Sequence, residues 1–395
     1  MVGWQPDDGT ALKRLLLAGA GHAHAQVLRR WISDPVPGVE LVLVSPQALS
    51  PYSGMVPAWL AGDVRYDEIC IDVQALAAAS GARWVQDELV GVAADARQVQ
   101  LASGGTLDYS LLSLNVGSTL QPPAGLPSRL PSRLHMRTLA LRPLGALRSA
   151  WEASLPELAA EPQHRPCHIT AVGGGAAGVE SLLAILARLR RQQPQRRFTA
   201  SLVTQSADIL RGLARGAVRA ARDALARASV DVRTGIRFTP DVAARTDLLL
   251  WATGALPHAW QASSGLALDA AGFVSVDAQL RSVSHPEVFA VGDGAGFTPN
   301  AAGLPKAGVH AVRMGPVLAD NLRATLTGNQ TLRSYVPQRQ FLVLLSTADG
   351  RAIAARGGFW AAGPLLGRCA WHWKQRIDRG FVAGFSVQPA LPYRR

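Results

Sequence analysis

The run RLLLAGAGHAHA at residues 14–25 decides the fold. Four apolar positions break at Gly19 and Gly21 and an amphipathic segment follows, which predicts a strand, a tight turn and a helix. Such a turn leaves the first N–H groups of the helix pointing at open space, and the aligned peptide dipoles add partial positive charge there, so the place is a seat for a pyrophosphate. Gly19 permits the turn and Gly21 is expected to let a phosphate approach the backbone, with His22 and Ala23 beginning the helix beside it. The third position of G-x-G-x-x-G is His24, so the match is partial and an ordinary strand-to-helix turn stands beside the nucleotide reading.

A second copy strengthens the first. HITAVGGGAAGVE at residues 168–180 enters the complete pattern through Gly173, Gly175 and Gly178, with Ala176 opening the helix. Two such turns about one domain length apart imply two nucleotide sites in one chain.

A chain of 395 residues that is 48% hydrophobic can bury two or three separate cores. Its formal charge of +12 suits an anionic partner: nucleotide phosphates, a membrane surface or nucleic acid. The arginines are dispersed, without the aromatic interleaving of a nucleic-acid groove, so no nucleic-acid partner is expected. Cys70, Cys167 and Cys369 lie far apart and form neither a C-x-x-C redox pair nor a metal site. The start, MVGWQPDDGT, lacks the apolar stretch of a signal peptide, and no apolar run approaches the roughly 20 residues of a membrane span. A cytoplasmic protein is expected, with any membrane contact peripheral.

Taken in order, VELVLV at Val39–Val44 closes the first βαβ unit. The acidic residue that commonly ends such a strand is replaced by Ser45, a weaker ribose partner. SPQALSPYSGMVP (45–57) is loop, in which Tyr52 and Met55, with Trp59 just beyond, offer an apolar lining for a flat ring. Residues 82–118 alternate as a β-meander that ends in a buried strand and NVGS (115–118). The phrase ATGALP (252–257) repeats that ending in the second half. QPPAGLPSRLPSR (121–133) reads as the crossing between domains. The strand after the second turn ends at Thr204, Gln205 and Ser206, again without a carboxylate, while Arg211 can face a 2′-phosphate, so the choice between NADH and NADPH stays open. FAVGD (289–293) and PKAGVHAV (305–312) follow, then a strand FLVLLST (341–347) and a final Trp-rich basic segment.

His22 and His24, two apart on a helix, do not face one way, which favours phosphate contact and packing over a metal. In the final segment Ala370, Trp373, Ile377 and Phe381 recur at helical spacing among His372, Lys374, Arg376 and Arg379. Such a helix either packs its stripe on the protein or lies in an anionic membrane interface.

The order GAGHAHA, NVGS, GGGAAGVE, ATGALP, FAVGD and PKAGVHAV resembles the two-dinucleotide-domain flavoproteins of the pyridine nucleotide-disulfide oxidoreductase superfamily. Within it the chain is similar to the type II NADH:quinone oxidoreductase-like proteins, and GHAHA with PYSGMVP resembles the flavoprotein module found N-terminal to selenide, water dikinase. No kinase domain is expected in this sequence. The resemblance implies an α/β fold of two Rossmann-like domains, an FAD domain (1–120 and 261–330) interrupted by an NAD(P) domain (121–260), and a small C-terminal α+β region (331–395). It implies FAD at the first site, NAD(P)H as co-substrate at the second and a quinone as acceptor, with a homodimer as one oligomeric option.

Under that resemblance each matched residue has a role. Leu89 main chain lies near the adenine, Gly117 and Gly292 let the cofactor approach, and Asp293 accepts a ribityl hydroxyl or merely caps its turn. Lys306 and Ala307, before a helix aimed at the flavin, stabilise charge developing on the ring, unless Lys306 is a solvated loop residue. Glu180 reaches toward the nicotinamide carboxamide or sits on the helix surface offsetting the dipole, and Gly254 lets the nicotinamide cross the chain. His310 relays a proton to a quinone or packs in the core. Without a cysteine pair electrons leave directly from the flavin. The rival reading is a flavoprotein that senses nucleotides or binds a partner without turnover, consistent with the missing third glycine and the missing ribose carboxylates.

Overall fold

The computed structural model describes residues 12–120, 122, 136–239, 242, 245–300 and 303–387. Apart from Pro122, the proline-rich crossing at 121–133 lies outside the described residues.

Two parallel five-stranded sheets carry the chain. The first runs Val288–Ala290, Leu111–Leu114, Lys13–Ala18, Val39–Val44, Arg83–Val85. The second runs Arg137–Ala140, Leu248–Trp251, Cys167–Val172, Phe198–Thr204, Val230–Thr234. Each places its glycine-turn strand third, between the following strand and the strand that ends in NVGS or ATGA. Leu15, Leu16, Leu17, Leu43 and Leu112 are buried, as are Leu248, Leu249 and Leu250, because helices cover both faces, and the strands accordingly read as unbroken apolar runs. The fifth strand of each sheet comes from across the chain's two crossings: Arg137–Ala140 precedes the second glycine turn, and Val288–Ala290 returns to the first sheet afterwards. Ligands of open parallel sheets bind where strand order reverses, at the carboxyl ends of the strands, and both glycine turns sit there.

The meander is shorter than the alternation suggested. Leu89–Ala93, Gln98–Leu101 and Thr106–Asp108 form an antiparallel three-stranded sheet, whereas Arg83–Val85 joins the parallel one. A larger departure concerns the loop after Ser45. Met55 and Trp59 do not line a ring site; with Val56, Leu60 and Ile69 they are buried in the core of the second unit, where helix Val56–Ala61 packs on helix Ala176–Gln192. Tyr52 turns instead to Phe381.

The C-terminal strands Val343–Ser346, Ala352–Arg356 and Phe359–Ala361 form an antiparallel sheet whose Leu345, Ile353 and Ala355 extend the second core. Helix Pro364–Ala383 follows. Its inward face is Gly367, Ala370, Lys374 and Asp378, with Phe381 partly covered. Trp373 and Ile377, expected in one stripe with Ala370 and Phe381, point outward, 50% and 41% exposed. Periodicity misplaced the stripe because the buried face carries an ion pair, which apolar spacing cannot show.

Candidate nucleotide sites

The first turn is built around a side chain that motif reading passed over. Asn115, at the end of the neighbouring strand, accepts from the N–H groups of Ala23 (3.1 Å) and His24 (3.3 Å) and donates to the Val291 carbonyl (3.2 Å). It thus satisfies two orphan donors of helix His22–Ser33 and ties three strands together at the sheet's carboxyl edge. Gly19 has φ +86°, and a Cβ there would lie 2.5 Å from the Asn115 carbonyl oxygen. Gly21 is extended, at φ −66° and ψ 171°, so its backbone would accept any residue; a Cβ would instead overlap the Asn115 side chain. Its absence of side chain serves Asn115 at least as directly as it serves an approaching phosphate. Ala23 is fully buried behind the wall with its N–H taken, which corrects the expectation that it meets the cofactor.

His24 explains the imperfect motif. In the second turn Gly178 occupies the equivalent helix position, and a Cβ there would overlap the Gly173 carbonyl. In the first turn the His24 ring makes a bond of that closeness: Nδ1–H donates to the Gly19 carbonyl at 2.5 Å and Nε2 accepts from the Ser113 hydroxyl at 2.8 Å. Burial pulls His24 down to about 4, so the ring is neutral and its tautomer is fixed by these two partners.

A cavity of about 470 Å³ opens on this turn. Of the sequence-chosen residues, Gly19, Gly21, His22, Ser45, Leu89, Gly117 and Asp293 line it. The Ser45 hydroxyl donates to the Gln47 carbonyl (3.0 Å), which leaves its lone pairs for a ligand hydroxyl. Gly292 lies just behind, at φ +68°, where a Cβ would meet the Asn115 amide nitrogen at 2.9 Å. Ala307 is the N-cap of helix Gly308–Leu326, and Gly308 reaches the wall. His22 is held neutral by burial, down to about 4. Among the described residues its Nε2 is a buried polar atom with no partner in the protein.

Arg142 was not legible as a site residue. Its guanidinium pairs with Asp293 (2.9 Å) and donates to the Ser118 hydroxyl (2.7 Å) and the Lys306 carbonyl (3.0 Å), so the segment entering the second unit also walls the first site. Nothing near Arg142 in sequence separates it from the other arginines. Asn115 had a signal: NVGS ends the strand beside the glycine turn.

Two expected catalytic side chains stand elsewhere. The helix after Pro305 begins at Gly308, and Lys306 points away from the cavity, its ammonium on the Ala295 carbonyl (2.6 Å) and over the Phe273 ring (3.5 Å), with burial lowering it to about 8. Lys306 is therefore not a solvated loop lysine and does not line the cavity. His310 is buried against Tyr335, whose hydroxyl bonds Nδ1 at 2.9 Å, and against Phe341. It packs in the core, and it too lies off the cavity wall.

At the second turn Gly173 has φ +121° and a Cβ would overlap the Ala252 carbonyl, the same relation that Gly19 has with Asn115. Gly175 and Gly254 face open space, and Ala176 starts the helix. Thr204 is buried beside Gly174, its hydroxyl accepting from the Ser206 N–H (3.3 Å). Glu180 is buried rather than on the helix surface. Its Oε1 accepts from the Ser346 N–H at 2.6 Å, and burial raises it to about 7 against the pull of Lys374. That C-terminal partner was not foreseen.

The cysteines are free and none lines the cavity; Cys70 and Cys167 are buried, which pushes both thiols up to about 12. No cluster of His, Cys, Asp and Glu among the described residues can hold a metal ion.

The fold recurs in known proteins. A model of the pyridine nucleotide-disulphide oxidoreductase family matches residues 14–315. NDH2 from Plasmodium falciparum, solved with NADH, superposes with a TM-score of 0.75 at 12% identity, over 94% of this chain and 97% of that one. The sulfide:quinone oxidoreductase of Aquifex aeolicus gives 0.72 at 16% identity, over 96% and 93%. The ferredoxin reductase of the CYP199A2 system from Rhodopseudomonas palustris gives 0.67 at 20% identity, over 90% and 89%. Those similarities show a shared fold, and the family match covers most of the chain: it belongs to the pyridine nucleotide-disulphide oxidoreductase family of FAD-dependent NAD(P)H oxidoreductases.

Proposed function

We propose that this oxidoreductase passes electrons from NAD(P)H through FAD to a quinone at a membrane surface, without a cysteine relay. The observation that carries the reading is the pair of glycine turns at the edges of two sheets of the same order, the first opening on a cavity that contains no cysteine. Bound FAD supplies the hydride acceptor and the step to the second acceptor.

The chain's own groups do the rest. At the first site the amides of Gly21 and His22 face the pyrophosphate. Ser45 accepts a ribose hydroxyl, Leu89 main chain borders the adenine, and Asp293, fixed by Arg142, accepts from the ribityl chain. Gly117 and Gly292 keep the backbone close. The N-terminus of helix Gly308–Leu326, with Ala307 as its cap, turns positive potential on the ring. Lys306 and His310 shape this wall from behind. At the second site Gly173, Gly175, Ala176 and Gly178 seat the nicotinamide nucleotide, Thr204 borders its ribose, Gly254 leaves room for the nicotinamide, and Glu180 orients the carboxamide. Glu180→Ala should slow flavin reduction by NAD(P)H and leave flavin content unchanged; equal hydride-transfer rates in variant and parent would remove Glu180 from the chemistry.

The membrane part rests on the outer face of the C-terminal region. Leu365, Leu366, Trp373 and Ile377 are exposed there beside Arg368, Arg376 and Arg379, and Phe359 projects from the adjoining hairpin. Apolar and aromatic side chains ringed by arginines suit an anionic lipid interface. No helix among the described residues is long and apolar enough to span a bilayer. The protein should sediment with anionic liposomes, release as salt rises, and lose binding in Trp373→Ser/Ile377→Ser; no sedimentation at low salt would sink the membrane acceptor.

A further inference from the structure

We propose that the C-terminal helix is a positioning element of the flavin site. The inference rests on the flavin reading above.

Lys374 and Asp378 lie one turn apart on the inward face of helix Pro364–Ala383, paired at 2.8 Å, with side chains only 10% and 9% exposed. Removing an ammonium and a carboxylate from water costs more than a single pair commonly returns, so the further partners of these two groups matter. Lys374 Nζ also donates to the Gly54 carbonyl (2.8 Å), and the Asp378 carboxylate lies near enough to Tyr52 to raise its hydroxyl's pKa. Phe381, on the next turn, stacks on Tyr52 with centroids 4.6 Å apart and meets the His22 ring edge-on at 5.9 Å. Three successive turns thus grip Tyr52 and Gly54. Between and beside those two residues, Ser53 and Pro51 form cavity wall, and the Ser53 hydroxyl stands where a Cβ of Gly308 would be, 2.7 Å away. His22 begins the helix of the first glycine turn.

The test follows release of FAD from the reconstituted holoenzyme after dilution, by flavin fluorescence, and amide exchange at residues 52–56 in the cofactor-free protein. Lys374→Met, Asp378→Asn and Phe381→Leu should each release FAD about tenfold faster and exchange those amides faster. Trp373→Gln, on the outward face of the same helix, should match the parent in both. Should Lys374→Met fail to fold, Asp378→Asn, which keeps side-chain shape, and Phe381→Leu, which keeps an apolar side chain, decide the positioning claim. Parent rates in folded Asp378→Asn and Phe381→Leu overturn the positioning role, as does equal acceleration in Trp373→Gln. A parent that takes up no FAD sinks the flavin reading alone, because the exchange measurement still reports on the grip.

Discussion

Replacing Gly21 by alanine tests what that glycine is for. Its φ and ψ are ordinary for any residue, so the cost is steric, and the obstacle is the Asn115 side chain. To admit the methyl group Asn115 must swing away and forfeit its bonds to the Ala23 and His24 amides and the Val291 carbonyl. At about 1 kcal/mol net for each bond the loss is about 3 kcal/mol, more if the buried groups find no water. Asn115→Ala removes the same three bonds directly and should cost a similar amount. The double variant has room for the methyl group and no bonds left to break, so it should be about as stable as Asn115→Ala alone, a coupling of about 3 kcal/mol. Urea unfolding of the four cofactor-free proteins gives the cycle. Additive losses would refute the packing argument and return Gly21 to the role of phosphate clearance alone; FAD affinity in the double variant then measures that second role by itself.

Three further outcomes are expected. Burial raises Glu180 from about 4.5 when unfolded to about 7, a penalty on the charged form that is absent below the unfolded value and complete above the folded one. Glu180→Gln, whose carbonyl can still accept from Ser346, should therefore match the parent near pH 4 and exceed it above pH 7 by up to about 3 kcal/mol in chemical denaturation; a constant difference across that range would contradict the shift. Thr204, Gln205 and Ser206 offer no ribose carboxylate, so NADH and NADPH should reduce the flavin with similar efficiency, and a preference for NADH above about a hundredfold, on the order of 3 kcal/mol, would count against the site. A thiol reagent should modify Cys369 quickly in the native protein and Cys70 and Cys167 only on unfolding, with no new thiol after reduction by NAD(P)H.

The two sheets were legible because their strands are buried on both faces and enter glycine turns, a signal that is local and repeated. Of the cavity residues, Gly19, Gly21 and Ser45 followed from the same pattern, and Leu89, Gly117 and Asp293 from the family resemblance. What escaped depends on side chains brought together from afar. Asn115 reaches across to the Gly21 helix, Arg142 crosses from the second unit to Asp293, and Ser346 and Lys374 come from the C-terminal region to Glu180. Lys306, expected to stabilise charge on the ring, lies off the cavity wall because a carbonyl and an aromatic face hold its ammonium, a compensation for burial that sequence does not show. Trp373 and Ile377 were grouped in one stripe with Ala370 and Phe381 because helical spacing identifies a stripe without saying which part of it the rest of the protein covers.

The most direct test of the account is anaerobic mixing of the purified, FAD-reconstituted protein with NADH and with NADPH, followed by absorbance of the flavin and then by addition of a soluble quinone. The account predicts bleaching of the flavin within the mixing experiment, its return on adding quinone, and the same behaviour when all three cysteines are replaced by serine. A flavin that stays oxidised under excess NADH and NADPH, or a cycle that stops when the cysteines are removed, would contradict it.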